Sequence, residues 1–399
     1  MARLVAISTF WNGPVIERMV RTSWDRGDAV LMVPGDLPST ARQHLLAATA
    51  PSVELTCDDD GRITEAPTGL DAPPLDDGDA LVVVTSGSTG VPKVLVHTHR
   101  SLRAHADAVH EHLGVDPARD RWLACLPLNH LGGFGVLARS ILTATPVDVL
   151  DGFDERAVTA APAERGSTLV SLVATALDRV EADPYRWVVL GGSADPTPRP
   201  SNVVHTYGLT ETGGGVVYEG VALPGVEVRV DPPSAGARAG AIALRTPTTA
   251  RGRRGPDGST SPLVGPDGWL ATGDLGRWSD DGRLLIDGRA DDLIITGGEN
   301  VWPLPVEEAI RTHGQVADVM VHGALDPEWG QRVVAVVVPA DPSSPPTLEA
   351  LRGHVKQTLP ASSAPRALRL VDVIPRTALG KPRRPVAPPP AGDSEIGGR

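Results

Sequence analysis

The chain has 399 residues, enough for two or more domains and a sizeable buried core. Its 49 Asp and Glu outweigh 37 Lys and Arg, and the net charge of −12 argues against a general nucleic-acid or acidic-membrane binder, since both need a basic face. Two cysteines, Cys57 and Cys125, cannot build a disulfide framework or a cysteine metal site, and 43 Gly with 38 Pro make the chain loop-rich without making it low-complexity.

Residues 1–10 carry one charge and a short apolar run, so no signal peptide is expected. No apolar stretch nears the ~18 residues of a membrane span. The expectation is a soluble cytoplasmic α/β protein. Residues 28–33 read as a strand ended by Pro34-Gly35, Ser39 is placed to cap a helix over 40–49, and Val53-Glu54-Leu55 reads as the next strand. The acidic, Pro- and Gly-rich stretch 58–78 reads as a loop, 80–84 as a buried strand and 100–113 as a helix. Strands and helices alternate to about residue 205, which predicts a mostly parallel sheet. From 225 to 290 short strands and Gly/Asp turns predict a small β-rich subdomain. A compact unit follows, with helices over 305–312 and 348–359 and strands over 316–321 and 333–338. The Pro-rich tail, 386–399, reads as disordered, and no internal repeat is found.

Thr85-Ser86-Gly87-Ser88-Thr89-Gly90-Val91-Pro92-Lys93 offers hydroxyls, unobstructed backbone N–H groups and one lysine, a set able to surround a polyphosphate. A Walker loop places Lys directly after Gly and opens into a helix. Here Pro92 precedes Lys93, and Val94-Leu95-Val96-His97-Thr98 reads as a strand, so this is a different nucleotide loop, with an ordinary Gly/Ser turn as the alternative. His97 and His99 would share one face of that strand, yet no third metal ligand is near, which favours a structural pair.

Gly191-Gly192-Ser193-Ala194 ends an apolar strand, where small residues permit the approach of a flat ligand such as adenine. In Tyr207-Gly208-Leu209-Thr210-Glu211-Thr212, a hydroxyl beside a carboxylate can hold a phosphate oxygen and its Mg²⁺, or else form a capped turn with a solvated Glu. Thr272-Gly273-Asp274 places a carboxylate suited to a ribose diol, or is a plain β-turn. Gly288-Arg289-Ala290-Asp291-Asp292 opens the last folded unit, and Gly380-Lys381 lies near its end. That lysine is either surface charge or catalytic, and the second role requires its loop to fold back onto the nucleotide.

In this order, from about residue 80 to 384, these strings resemble the adenylate-forming superfamily of acyl-CoA synthetases, peptide-synthetase adenylation domains and luciferases. The resemblance implies an α/β fold: a large N-terminal domain over 1–288, with parallel-rich sheets, helices and the β-rich subdomain, here trimmed at its start. A small mobile α+β lid over 289–385 would turn on a hinge at Asp291. It implies Mg-ATP activation of a carboxylic acid to an acyl-adenylate with release of pyrophosphate, then displacement of AMP by CoA or a carrier thiol. ATP, Mg²⁺ and CoA are thus expected, with a small acid as partner, no nucleic acid and room for a homodimer. By position, Thr85, Ser86, Gly87, Ser88, Thr89, Gly90 and Lys93 would form the β/γ-phosphate loop. Thr210 would bind the α-phosphate and Glu211 the Mg²⁺; Gly192, Ser193, Ala194, Tyr207 and Gly208 would surround adenine. Asp274 and Arg289 would hold the ribose, and Lys381 would bridge carboxylate and α-phosphate.

Within the superfamily the chain is similar to compact actinobacterial o-succinylbenzoate–CoA ligases of menaquinone biosynthesis. The similarity lies in Lys93-Val94-Leu95-Val96-His97-Thr98, in His205-Thr206-Tyr207 through Gly220, in Pro346-Thr347-Leu348-Glu349-Ala350-Leu351-Arg352, and in Leu126-Pro127-Leu128-Asn129-His130 with Arg139 nine residues on. It implies an acyl pocket with His130 as gate, Arg139 near the substrate's distal carboxylate, and Gly213 and Gly214 leaving room for an aryl ketone. Arg139 as a surface helix charge and His130 as a hydrogen-bonded core histidine are the alternatives. Thr296-Gly297-Gly298-Glu299-Asn300-Val301-Trp302 is closer to generic acyl-CoA ligases, and Asn129 occupies a position that is often aromatic. Both departures keep open another aryl or alkenyl acid, or nitrite, and a carrier-protein thiol stays open beside CoA. A non-catalytic nucleotide binder is disfavoured by the joint presence of Glu211, Asp274, Arg289 and Lys381.

Overall fold

The structure, a computed structural model, describes residues 2–9, 13–58, 61–85, 93–192, 198–232, 239–376, 384 and 396–397. Internal contacts divide the chain into two units, Met1–Val228 with Leu244–Ala271, and Arg229–Ala243 with Thr272–Arg399.

The first unit carries two large sheets. One has eight strands in the order Thr260–Ser261, Gly252–Arg254, Lys93–Thr98, Asp79–Thr85, Ala29–Pro34, Leu4–Thr9, Val53–Cys57, Ile63–Pro67. Its centre is parallel, from Asp79–Thr85 through Ala29–Pro34 and Leu4–Thr9 to Val53–Cys57, and both flanks are antiparallel. The central strands are continuous apolar runs because they are covered on both faces: Ala80, Leu81, Val82 and Val83 are all buried. The strand Ile63–Pro67 lies inside the stretch expected to be a loop. It is an edge strand with mostly exposed residues, so a Glu and a terminal Pro are tolerated and no apolar alternation marks it.

The other sheet has seven strands, ordered Val221–Ala222, Gly214–Tyr218, Val203–Leu209, Trp187–Gly191, Leu169–Val173, Trp122–Ala124, Val147–Val149. It is parallel from Val203–Leu209 onward, as the strand–helix alternation predicts. The helix Ser39–Thr49 forms, but Pro38 occupies its N-cap and Ser39 does not cap it. Thr98 caps the helix His99–Leu113 through a reciprocal pair with Ser101: each side-chain oxygen accepts from the other's backbone N–H at 3.1 Å. His99 therefore starts the helix instead of ending the strand, so it does not share a strand face with His97. The helix Leu131–Thr143 is buried almost all round, which places Arg139 inside the protein.

In the second unit a four-stranded sheet, most of whose residues belong to that unit, runs Glu227–Val230, Gly240–Arg245, Leu270–Trp278, Leu284–Arg289. A six-stranded sheet follows, in which the long antiparallel pair Val316–Asp326 and Gly330–Pro339 packs against the helices Pro303–Arg311 and Leu348–Val355. Val306, Ile310, Val319, Val321, Val333, Val337, Leu351 and Val355 form its core. The second helix stops before the expected residue 359, a few residues short of Pro360, whose ring disfavours helix in the residue before it. Of the tail 386–399, only Ile396–Gly397 is described, as a short strand against Ala367–Leu370. No helix among the described residues is long and apolar enough to cross a membrane.

Candidate active site

The strands Asp79–Thr85 and Lys93–Thr98 are antiparallel, and their pairing ends at Thr85 opposite Lys93. The segment read as a nucleotide loop is thus followed by a strand, as the β-type residues after Lys93 predict. Residues 86–92, and so Ser86, Gly87, Ser88, Thr89 and Gly90, lie outside the described residues. At the foot of the loop, Lys93 Nζ lies 3.8 Å from Glu211 Oε1. The two side chains come from opposite ends of a 118-residue sequence span and retain 36 % and 20 % exposure, enough to exchange each other for a ligand.

Glu211 sits in the 3-10 turn Thr210–Thr212, which joins Val203–Leu209 to Gly214–Tyr218. The reversal is tight enough to require glycine. A Cβ on Gly208 would lie 1.9 Å from the Gly214 carbonyl oxygen, and Gly213 and Gly214 have φ of +76° and +125°. The buried Thr212 hydroxyl accepts from Leu209 N–H at 2.9 Å and donates to Gly214 O at 2.8 Å. Thr210 and Glu211 are therefore mounted on a rigid turn.

Two buried histidines grip that turn. His97 Nε2–H donates to Thr210 O at 2.8 Å, and His105 Nε2–H donates to Gly215 O at 3.0 Å. Burial holds both rings neutral: the pKa of His97 falls to about 4, and that of His105 to about 3, where the nearby Arg139 charge adds to the effect. Sequence reasoning singled out His97 for a different reason and missed His105. The signal available was a His on an otherwise apolar strand and another on the buried face of a helix.

Among the described residues no three His, Cys, Asp or Glu gather to hold a metal ion. A single half-buried carboxylate beside a lysine suits Mg²⁺, which is commonly held by one or two carboxylates plus the substrate's own phosphates. Glu211 fits that role.

The parallel pairing of Trp187–Gly191 with Val203–Leu209 sets Leu190 opposite His205. The Gly191–Gly192 strand end thereby lies beside the Thr206–Gly208 segment, and a Cβ on Gly191 would touch Thr206 Oγ1 at 3.4 Å. Gly192 has φ +104° and its Cα faces Val173, where a Cβ would meet Cγ1 at 3.2 Å. A platform of backbone beside Tyr207 results, while Ser193 and Ala194 lie outside the described residues.

On the acid side, Arg139 is 5 % exposed, so it is not a surface helix charge. Its Nη2 donates to Ser171 Oγ at 3.3 Å, its guanidinium lies 4.6 Å from the Trp122 ring centroid, and its Nε has no partner among the described residues. No carboxylate pairs with it among the described residues, and burial lowers its pKa. The space a side chain on Gly135 would occupy lies 3.8 Å from Arg139 Nη1 and 3.9 Å from Gly213 O, which brings the arginine to the glycine turn. His130 stands at the N-cap of the Arg139 helix. Its ring is half-buried, lowered in pKa by burial, and makes no hydrogen bond among the described residues, which does not match a satisfied core histidine.

In the second unit Asp274 and Arg289 face each other across antiparallel strands, with Nη1 3.2 Å from Oδ1 and 3.1 Å from Thr272 O. Asp274 is buried while Arg289 is 42 % exposed, so the pair presents a cation over a fixed carboxylate. Asp291 lies exposed in the turn Ala290–Asp292. Lys381 lies outside the described residues.

The chain belongs to the AMP-binding enzyme family: residues 25–253 match it, and residues 305–381 match the AMP-binding enzyme C-terminal domain. It is 44 % identical over 331 residues to a probable 2-succinylbenzoate–CoA ligase of Mycobacterium tuberculosis, covering 77 % of this chain and 83 % of that one. It is 32 % identical to a 2-succinylbenzoate–CoA ligase of Bacillus velezensis, covering 76 % of this chain and 67 % of that one. Its fold is similar to that of the Bacillus subtilis o-succinylbenzoate CoA synthetase solved with its acyl-adenylate intermediate, with a TM-score of 0.80, 24 % identity, and coverage of 95 % and 87 %. It is also similar to Rhodopseudomonas palustris MatB solved with ATP, with a TM-score of 0.79, 23 % identity, and coverage of 96 % and 87 %.

Proposed function

We propose that the protein is an ATP- and Mg²⁺-dependent acid–CoA ligase that converts 2-succinylbenzoate to 2-succinylbenzoyl-CoA through an acyl-adenylate. The observation that carries the substrate is Arg139, a buried cation at the glycine turn without an anionic partner among the described residues. An unpaired buried charge is expensive, and a second carboxylate on the substrate, far from the reacting one, offsets it. Relatives named for the same ligase activity support the reading.

In the first half-reaction a carboxylate oxygen attacks the α-phosphorus, the new O–P bond forms, and pyrophosphate leaves with the electron pair of the broken P–O bond. Both reactants are anions, so the barrier is largely their repulsion and the charge that builds at phosphorus. Mg²⁺, when bound at Glu211, neutralises phosphate charge. Lys93 and the loop 85–93 hold the β/γ-phosphates, Thr210 holds the α-phosphate, and Gly192, Tyr207 and Gly208 border adenine. Asp274 and Arg289 hold the ribose, and Lys381 bridges the two reacting anions. In the second half-reaction the CoA sulfur attacks the acyl carbon and loses its proton, the thioester forms, and AMP departs. The lid over 289–385 turns at Asp291 between the steps, taking Lys381 away so that the thiol can enter. His130 gates the acyl site. The reaction belongs in the cytoplasm, where ATP and CoA are supplied, and needs no macromolecular partner beyond an optional second copy of the chain.

Mass detection of the products from enzyme, Mg-ATP, CoA and a panel of 2-succinylbenzoate, aryl acids, fatty acids and nitrite tests this. Selective 2-succinylbenzoyl-CoA with AMP is expected. AMP formed with another acid, and none with this one, overturns the substrate and keeps the chemistry. A carrier protein preferred to free CoA overturns the acceptor.

A further inference from the structure

His97 is fully buried on the strand that begins with Lys93, four residues along and so on the same face. Its Nε2–H reaches across to the carbonyl of Thr210, while its Nδ1 has no partner among the described residues. A Leu or Val there would be cheaper to bury, because an orphaned ring nitrogen keeps its full desolvation cost. The retained polar ring therefore does something that an apolar neighbour in the strand does not.

The geometry points to His97 as a positioning residue that sets the spacing between the phosphate-loop strand and the Thr210–Glu211 turn. Thr210 O has a second, longer bond from Gly213 N–H at 3.2 Å, which only closes the turn on itself. His97 supplies the direct link from turn to strand. A parallel route runs through backbone, from Glu211 O to Ala250 N–H at 2.8 Å and from Arg251 N–H to Val96 O at 2.8 Å. The two routes bracket Glu211 and fix it near Lys93. Without the imidazole, the Thr210 end of the turn keeps only its internal bond, and the Lys93–Glu211 approach of 3.8 Å is no longer held from both sides. The ring itself touches no substrate; it acts through Thr210 and Glu211.

This rests on the reading of Thr210 and Glu211 as the phosphate and Mg²⁺ groups. The test compares wild type with His97→Leu, His97→Met and His97→Gln, the last because its amide can donate to the same carbonyl. Acid-dependent pyrophosphate exchange reads adenylation, conversion of a supplied acyl-adenylate with CoA reads the second step, and calorimetry reads Mg-ATP binding. In the apolar variants adenylation falls about tenfold and Mg-ATP binds about fivefold more weakly, the scale of one lost hydrogen bond. Thioester formation from the supplied adenylate stays within about twofold, thermal stability is held, and the Gln variant recovers most of the loss. Either apolar variant carries the test if the other fails to fold. Wild-type rates in both, equal loss of both half-reactions, or no rescue by Gln overturns the inference. Failure of the underlying reading looks different: wild type itself then shows no Mg-ATP-dependent exchange.

Discussion

The Arg139 guanidinium lies over the Trp122 ring at 4.6 Å, on a helix whose faces are nearly all buried, and no carboxylate answers its charge among the described residues. Stacking on an aromatic face stabilises a desolvated cation but does not replace a counter-ion. Arg139→Met keeps the apolar stem and removes the charge. Its thermal midpoint should hold or rise, while KM for 2-succinylbenzoate rises about a hundredfold, the loss typical of a buried charge pair. Monocarboxylic aryl acids should change little. Equal losses for both acid classes would remove Arg139 from the acid site.

Glu211→Gln keeps the shape of the turn and removes the charge that faces Lys93. Adenylation should drop by roughly 10²–10³, the usual cost of one electrostatic contact to a reacting phosphate. Raising Mg²⁺ should restore part of it. A loss that no Mg²⁺ concentration relieves would argue that Glu211 only props the turn.

Lys381→Ala should lose adenylation by roughly 10²–10³ yet still convert a supplied acyl-adenylate to thioester. The two half-reactions are to be measured separately, by pyrophosphate exchange and by thioester release. Parallel loss in both would contradict a lysine that serves only the first.

His97 and His105 also predict an acid limit to stability. Both are buried and neutral in the fold, with pKa values pulled down to about 4 and about 3, whereas the unfolded chain binds protons near 6.5. The unfolded state therefore holds more protons below pH 6.5, and stability falls as pH drops from there toward the folded values. Each ring contributes a slope of about 1.4 kcal/mol per pH unit in that window. Urea melts at pH 7 and pH 5 should show the loss, and His97→Leu should reduce the slope by one such share. An unchanged slope would mean that the ring is solvated.

Much of the fold was legible because it rests on strong hydrophobic patterns: the apolar runs of the parallel strands, the periodic helix 100–113, and the helices and strand pair of the last unit stand close to where they are expected. The edge strand Ile63–Pro67 was not, since an edge has little to bury and its sequence looks like a loop. Of the site, the sequence offered motif chemistry: Lys93 opens a strand after a Gly/Ser-rich segment, Thr210 and Glu211 sit in a 3-10 turn, and Asp274 lies on the strand Leu270–Trp278. Local spacing could not reveal partners that meet only through tertiary packing. His97 and His105 lie more than a hundred residues from the carbonyls they hold, and the sequence leaves Arg139 between surface and pocket, while the burial of its helix rules out the surface.

The segment proposed to hold phosphate leads into the strand Lys93–Thr98, not into a helix. A helix would aim its positive end at the bound anion, whereas a strand has almost no net dipole to offer. What the strand does offer an anion is the discrete side-chain charge of Lys93, at its first position and open to solvent over about a third of its side chain. Such a charge is screened over about 8 Å at physiological ionic strength. The pull of Lys93 on any anion at this strand end therefore weakens as the salt around it rises.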